Sequence, residues 1–341
     1  MNHKLHIFRT LLSALALLAL NSCGGLIYDD EGDCDPYYKV RFVYDRNLEY
    51  ADAFVPQVRE VTLYVVDDAT GHIVWQKHES GAALREPGYM MDVDVPPGTY
   101  SLIAWCGEGH RSHFSVAESD VHTGLTCRLD ERAAHPENLG LEGSAVTACL
   151  KPLFHGRLMA SVFPDEQGVH VYTVVLTKDT NDINVQLVQR YAPTVSADDY
   201  IVTVTDRNGF MDWDNTLLDD EQLTYYPWQQ AAGTAEMLPS ASADAPSAGE
   251  WVPSLSADIT TARITTGSDM RLKIYHRERG LICSLPLVKY FLMSKGQHAH
   301  LAHQDYLDYC SSYRIVVYLE GSTMTQLFIN SWRVVLQDSD L

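Results

Sequence analysis

Histidines form the densest group of possible metal ligands in the chain. His298, His300 and His303 fall within one short stretch. On a helix, positions 300 and 303 would share a face while position 298 lies well off it, and no carboxylate at helical spacing completes a ligand set. The sequence therefore favours an exposed polar helix face over a metal site.

An acidic stretch, Asp212–Glu221, is the second candidate for ion binding. Aligned on an EF-hand calcium loop from Asp212, it has Leu217 where glycine is required and Leu223 where the bidentate glutamate belongs. The EF-hand match therefore fails. A calcium loop of another kind and a solvated acidic turn remain, and we favour the turn.

No catalytic arrangement is evident in the sequence. Gly107-Glu108-Gly109 lacks the third glycine of a dinucleotide loop, and the chain contains no G-x-S-x-G, H-E-x-x-H or P-loop motif. A glycosidase-type carboxylate pair is defined by geometry that a sequence does not supply. We therefore predict a non-enzymatic protein without a cofactor, and keep a secreted hydrolase as a rival hypothesis.

Tryptophans raise a different possibility, that of a surface adhesin or a glycan-binding protein. Aromatic rings can stack on sugars, but they more often pack in cores and under loops. The tryptophans considered as stacking platforms are Trp75, Trp105, Trp213, Trp228 and Trp251.

The amino terminus has the pattern of a secretion signal. Lys4 and Arg9 belong to a short basic region, and the small and apolar run Leu11–Leu20 follows. As a helix, ten residues rise about 15 Å, roughly half of what a hydrocarbon core requires. We therefore assign residues 1–22 to a signal peptide and not to a membrane-spanning helix.

Cys23 is the predicted site of lipidation. Leu20-Asn21-Ser22-Cys23 resembles the lipobox of bacterial lipoproteins, with an apolar residue at −3 and a small residue at −1, although Asn21 is unusual at −2. The alternative is an ordinary cleaved signal with an incidental cysteine. Several acyl chains give stable anchoring, at about 0.8 kcal/mol per buried methylene.

Residues 23–35 form the predicted lipidated tether. Its acidic cluster, Asp29–Asp33, resembles the export signal of surface lipoproteins in the Bacteroidota, and a simple solvated tether is equally compatible with it. The chain has a formal charge of −20, which becomes about −22 when Lys4 and Arg9 are removed with the signal. Such a surface repels phosphate backbones, so we expect no nucleic-acid partner.

Six cysteines remain after Cys23: Cys34, Cys106, Cys127, Cys149, Cys283 and Cys310. An oxidising compartment would allow them to pair, and fifteen connectivities exist for six cysteines. No C-x-x-C pair is present, which excludes zinc-ribbon and thioredoxin-like sites. Buried free thiols and one or two disulfides are both left open.

Alternating apolar residues predict short strands along the whole chain, separated by turns rich in Gly and Pro. Val58–Val66 and His72–Lys77 form one predicted hairpin around Asp67-Asp68-Ala69-Thr70-Gly71, and Pro96-Pro97-Gly98 leads into Thr99–Trp105. This spacing is typical of an all-β sandwich.

A second set of strands begins near Leu153, so we place a domain boundary at residue 150. The predicted domains are an N-terminal β-sandwich, residues 36–150, and a C-terminal β-sandwich, residues 151–341. Residues 231–250, rich in Ala, Ser, Pro and Gly, are predicted to be a loop insertion. Leu281–Val288 is a predicted strand and Gln297–Tyr309 the best helix candidate.

Several motifs, taken in order, resemble FimB-type fimbrial anchor proteins of the Bacteroidota. They include Cys34-Asp35-Pro36-Tyr37, Pro97-Gly98-Thr99-Tyr100, Asp206-Arg207-Asn208-Gly209, Tyr306-Leu307-Asp308 and the ending Ile329–Asp338. Each motif is moderately specific, and their order together with the lipobox is more specific. The similarity covers nearly all of the chain after the signal.

This resemblance implies two tandem transthyretin-like β-sandwich domains. It also implies a surface-exposed outer-membrane lipoprotein that anchors or caps a type V fimbrial polymer as a minor subunit. The implied partners are fimbrial subunit proteins, joined by β-strand addition, and the outer membrane, reached through the lipid on Cys23. Candidate edges for strand addition are the carboxy-terminal hairpin and the segment before Tyr37.

Overall fold

The computed structural model describes residues 35–108, 113–236, 249–330 and 332–334. The predicted signal peptide, Cys23 and Cys34 lie outside these ranges. Strands dominate the described residues, and the predicted all-β sandwich architecture is confirmed. None of the helices in these ranges is long and apolar enough to cross a membrane.

The strands of the first part of the chain are short and mostly antiparallel. In chain order they are β1 (Pro36–Val43), β2 (Glu60–Asp67), β3 (Ile73–Ser80), β4 (Met91–Val93), β5 (Gly98–Gly107), β6 (Phe114–Val116), β7 (Cys127–Leu129), β8 (Ser144–Val146), β9 (Leu153–Phe163) and β10 (Gly168–Lys178). One short helix, α1 (Phe54–Gln57), precedes β2.

The remaining strands are β11 (Asn181–Gln189), β12 (Tyr200–Asp206), β13 (Phe210–Met211), β14 (Leu223–Tyr225), β15 (Gln229–Glu236), β16 (Trp251–Thr261), β17 (Arg271–His276), β18 (Gly280–Pro286), β19 (Ser312–Glu320), β20 (Thr323–Ile329) and β21 (Trp332–Val334). Two helices, α2 (Leu287–Met293) and α3 (His303–Tyr309), connect β18 to β19.

Seven strands form the first sheet, in the order β3-β2-β5-β9-β10-β1-β4. β9 and β10 pair only near Gly156, and beyond this corner β10, β1 and β4 fold over the other strands. A Cβ atom on Gly156 would lie 2.7 Å from the side chains of Leu176 and Val174, so only glycine allows this approach. The folded sheet encloses a core that includes Val40, Phe42, Leu63 and Phe154.

The second sandwich packs a six-stranded sheet against a five-stranded sheet. Their orders are β15-β16-β11-β19-β20-β21 and β18-β17-β12-β14-β8, and a small sheet, β13-β7-β6, lies beside them. The second core also contains Ile103 and Trp105, from the outer face of β5. Because both faces of β5 are covered, this strand is a nearly continuous apolar run and does not alternate.

The predicted boundary at residue 150 does not coincide with the pairing of the strands. β9 pairs with β5, and β10 runs parallel to β1, so residues 153–178 belong to the first sheet. Conversely, β6, β7 and β8 pair with strands of the later part of the chain or with one another. The chain thus crosses from the first sheet to the second sandwich twice, and the last crossing lies between Lys178 and Asn181.

Three local predictions are wrong in detail. The predicted helix 297–309 is divided into a 3-10 turn, Gly296–His298, and the helix α3. Ala302 lies between them with an extended backbone, φ −59° and ψ 163°, which interrupts the helix. The predicted strand 281–288 ends at Pro286, and α2 begins directly afterwards. The predicted loop insertion begins as a strand, since β15 reaches Glu236; residues 237–248 lie outside the described residues.

Candidate interaction surface

The described chain enters the first sheet at one end of a parallel strand pair. β1 begins beside the start of β10, with Pro36 opposite Gly168, and the Tyr38 hydroxyl donates to the Pro164 carbonyl at 2.7 Å. The other end of β10 leads through residues 179 and 180 into β11. The predicted lipid tether and the six-stranded sheet therefore join the first sheet at opposite ends of this pair.

The three histidines considered for metal binding do not form a ligand set. His298 bonds the Tyr50 hydroxyl at 3.1 Å, its ring centre lies 6.5 Å from that of His300, and His303 begins α3. Among the described residues, no three His, Cys, Asp or Glu side chains are grouped to hold a metal ion.

The acidic stretch 212–221 contains a turn, and several of its carboxylates already have partners. Asp214 accepts hydrogen bonds from the backbone and hydroxyl of Thr216. Arg132 lies 2.7 Å from Asp220 and 2.8 Å from Glu221, and it lowers the pKa of Glu221. Arg132 therefore already neutralises Asp220 and Glu221, and within the described part of the chain these carboxylates belong to no group of three acidic, His or Cys ligands.

A buried ionic cluster lies where the chain passes between the two sheets. Arg263 donates to Asp179, which follows β10, at 2.7 Å and to Asp308 of α3 at 2.9 Å. Asn215 donates a further bond to Asp179 at 2.9 Å. Asp179 is fully buried, and burial raises its pKa to about 6. These positions are far apart in sequence, so no local pattern could have identified the cluster.

The five described cysteines are free thiols, which excludes disulfides among them. Cys106, Cys127, Cys283 and Cys310 are buried, and Cys149 is exposed. Burial raises the pKa of the Cys283 thiol to about 12, so this thiol is unreactive at neutral pH. Cys34 lies outside the described residues.

A groove of about 850 Å³ lies between the outer face of the first sheet and β6. Its lining includes Glu60, His78 and Glu118, but His78 bonds the Thr62 hydroxyl at 3.0 Å and not a carboxylate. Trp105, at its base, is 4% exposed. His78 is thus not paired with a carboxylate, and the Trp105 ring is not open for stacking; Trp75, which also lines the groove, is partly buried.

The tryptophans considered for glycan stacking divide into packed and exposed side chains. Trp105 is buried, Trp75 packs against the first core, and Trp213 packs edge-on against the His122 ring. Trp228 is 42% exposed and Trp251 is 66% exposed. The two exposed rings flank β15: Trp228 directly precedes it, and Trp251 pairs with its last residue, Glu236. Trp332, another exposed ring, was not considered from the sequence.

Among the described residues, the edges of the sheets offer main-chain groups that a partner strand could pair with. β4, β6 and β21 are edge strands of only three residues, and the outer side of β8 is bridged by Ala133. β18 carries a register shift and ends in Pro286. β3 and β15 are the two long edges, of eight residues each.

The two predicted locations of the exchanged strand have different outcomes. β21, at the end of the carboxy-terminal hairpin, lies at the edge of the six-stranded sheet. Of the segment before Tyr37, the structure describes only residues 35 and 36, and Pro36 pairs with Gly168 of β10. Residues before 35 lie outside the described residues.

Comparison with known proteins supports the resemblance noted above. A family of fimbrillin-A associated anchor proteins, Mfa1 and Mfa2, matches residues 30–338. No protein with a curated description matches the chain.

Solved structures share the fold. A Bacteroides thetaiotaomicron protein assigned as an adhesin is 28% identical, with a TM-score of 0.75, and covers 89% of this chain and 99% of its own. A second protein from that organism, assigned to polysaccharide binding, is 26% identical, with a TM-score of 0.70. It covers 91% of this chain and 100% of its own.

The fimbrial anchor protein Mfa2 from Porphyromonas gingivalis shares the fold at 15% identity and a TM-score of 0.60, with coverage of 88% and 99%. The predicted membership of a fimbrial anchor family, in which the proteins are structural and not enzymatic, is thereby confirmed. The chain belongs to the family of fimbrillin-A associated anchor proteins.

Proposed function

We propose that the chain is an outer-membrane lipoprotein, acylated at Cys23 and exposed at the cell surface. In this proposal it anchors or caps a type V fimbrial polymer as a minor structural subunit. Neighbouring subunits join it by β-strand addition, in which main-chain hydrogen bonds extend a sheet.

One observation carries the proposal: the predicted lipid tether and the six-stranded sheet attach to opposite ends of the β1–β10 pair. A molecule built in this way can hold a membrane on one side while it presents sheet edges on the other. Membership of the anchor family supports the same assignment.

Deleting the gene tests the anchoring role. We expect fimbriae to be released into the medium or to change in length, and complementation with the full chain should restore them. Cell-bound fimbriae of unchanged length in the deletion strain would contradict this role.

Replacing Cys23 by Ala tests the lipid attachment separately. We expect the variant to leave the membrane fraction, because the acyl chains supply the membrane affinity. Cys149→Ala is a matched control, since it removes an exposed thiol and leaves the lipobox intact. Membrane retention of the Cys23→Ala protein would refute lipid tethering.

A glycan-binding adhesin is the second candidate function. The exposure of Trp228 and Trp251 and the relative assigned to polysaccharide binding favour it. A glycan array with the full chain would distinguish the two functions. Specific sugar binding that is lost in Trp251→Ala, without any fimbrial partner, would favour the adhesin.

A further inference from the structure

β15 is an edge strand with one side unpaired. All eight of its residues pair with β16 in continuous antiparallel register, from Gln229 opposite Asp258 to Glu236 opposite Trp251. Among the described residues, no strand pairs with its other side. In an edge strand, alternate main-chain N–H and C=O groups point away from the sheet and remain free to bond a further strand.

The side chains of β15 leave this edge accessible. Residues 231–234, Ala-Ala-Gly-Thr, are consecutively exposed, so both faces of the strand are open there. Gly233 has no other atoms within 4 Å of the position that a Cβ would take. Glu236 is the only charged residue in the strand. The usual means of protecting an edge are charged side chains, Pro and β-bulges, and residues 231–234 contain none of them.

β3, the edge of equal length, is protected by each of these means except proline. Lys77, His78 and Glu79 are consecutive in it, and a register shift interrupts its pairing with β2. If the chain lacked edge protection in general, β3 would also be unprotected. The contrast therefore indicates that the edge of β15 is left open to bind a partner strand.

We propose that β15 receives an extended strand of a fimbrial subunit, which becomes the seventh strand of this sheet. The proposal rests on the function proposed above and names its site. Residues 231–234 offer little side-chain area, so the added strand must supply bulky apolar side chains to bury surface. Aromatic contacts are available at the two ends of β15, from Trp228 before its first residue and from Trp251 opposite its last residue. Trp251 lies on the same face of the sheet as Leu255 of the core.

A second copy of this chain fits the edge less well. Two such strands would place Ala and Gly against Ala and Gly and would bury little apolar area. An uncharged fimbrial strand also avoids repulsion by the acidic surface of the chain, which has a formal charge of −20. The short edge β21 offers three paired residues, fewer than the eight of β15.

The test uses the full-length protein, solubilised in detergent, and fimbriae sheared from cells that lack it. The variant carries Ala232→Lys and Thr234→Lys, both at exposed positions. We expect its affinity for fimbriae to fall by about tenfold or more, since the added strand would have to desolvate two ammonium groups. Backbone amides of residues 231–236 should gain protection from hydrogen exchange when the unaltered protein binds.

Val74→Lys with Gln76→Lys is the matched control, because it adds the same two charges at exposed positions of β3. We expect it to bind as the unaltered protein does, and unchanged unfolding midpoints should show that all variants fold. If the β15 variant binds normally and β15 gains no protection, the site is elsewhere and strand addition itself still stands.

Two other results would overturn the proposal differently. If the unaltered protein does not bind fimbriae, both the site and the proposed function fail. If the protein forms a dimer that the β15 variant abolishes, and fimbriae still bind, then the occupant of β15 is a second copy of the chain.

Discussion

The first sheet and the six-stranded sheet each end in an eight-residue edge strand, yet the two strands differ in almost every protective feature. β3 carries three consecutive charged or titratable residues and a register shift, whereas β15 is regular and consists largely of Ala, Gly, Thr and Gln. Edge strands are hazards because their main-chain groups can pair with other chains. The difference shows that protection is specific to each edge of this molecule.

The two regions also differ in what lies inside them. The first core contains aromatic pairs such as Phe42–Phe54 and Tyr44–Phe154, and no buried carboxylate among the described residues lies in a strand of the first sheet. The second sandwich buries carboxylates, including Asp206 and Asp220. The region with the open edge is therefore the one that carries buried charge, and its stability should respond more strongly to charge substitution.

Arg263 is the position where substitution should have the largest effect. Arg263→Ala leaves Asp179 and Asp308 without their buried guanidinium partner, which should cost about 3–5 kcal/mol in the free energy of unfolding. Because the cluster lies where the two regions meet, calorimetry should show whether they then unfold separately.

The control for Arg263 is Arg271→Ala, which removes an exposed ion pair with Asp269 and should change stability by less than about 1 kcal/mol. An Arg263→Ala protein as stable as this control would show that the buried cluster does not couple the two regions.

Glycine substitutions compare the two regions directly. Gly156→Ala in the first sheet should destabilise the protein by about 1–3 kcal/mol, because the new methyl group would overlap Leu176 and Val174. Gly233→Ala in β15 meets no atom and should be neutral or stabilising by up to about 1 kcal/mol. Urea unfolding of both variants measures the difference, and equal effects would refute the contrast.

The buried carboxyl group of Asp206 should make the stability of the second sandwich depend on pH. Burial raises its pKa to about 6, although the Ser268 hydroxyl and the Arg207 backbone donate to it. The protonated form is thus favoured by folding, and its contribution is complete below the unfolded pKa of 3.8 and is lost as the pH rises towards 6.

Asp206→Asn should therefore stabilise the protein at pH 7 to 8 by up to about 3 kcal/mol and should have little effect near pH 4. His155 acts in the opposite direction: burial lowers its pKa to about 3, so its contribution is lost as the pH falls below 6.5. Urea midpoints from pH 4 to 8, for the variant and the unaltered protein, isolate the Asp206 contribution. A difference in urea midpoint between the two proteins that does not change with pH would contradict this contribution of Asp206.

Removing the protection of β3 should have the smallest effect on stability. Lys77→Thr with His78→Thr changes partly exposed and exposed side chains, so the free energy of unfolding should change by less than about 0.5 kcal/mol. Self-association should nevertheless increase, because the edge loses two of its three consecutive charged or titratable residues. Light scattering at rising concentration measures this, and an unchanged association state would show that the register shift and Glu79 suffice to protect β3.

Strands in which apolar and polar residues alternate, or in which apolar residues form a continuous run, were predictable from the sequence. Thr99–Trp105 was predicted and Gly98–Gly107 is observed; the predicted hairpin of Val58–Val66 and His72–Lys77 is observed as β2 and β3. α2 was missed because it is only seven residues long and follows a strand without a capping side chain. β15 was missed because Ala and Gly have low strand propensity, and its pairing with β16 outweighs that propensity.

Pairing between distant segments accounts for the misplaced boundary. β9 and β10 look like the start of a second set of strands, but they complete the first sheet by pairing with β5 and β1. Likewise, Arg263 and Asp179 are 84 residues apart, and neither lies in a recognisable motif. The histidine and acidic motifs were visible in the sequence. In the structure the histidines do not form a ligand set, and the acidic stretch contains a turn and pairs with Arg132.

The sequence by itself determined the strand content, the acidic surface, the predicted signal that ends before Cys23 and the resemblance to fimbrial anchor proteins. Each of these depends on composition or on residues that are close together in the chain. Only the tertiary structure decided which strands are sheet edges, which tryptophans are exposed and where buried charges meet. An edge exists because no distant segment pairs beside it, and the local order of side chains carries no information about that pairing.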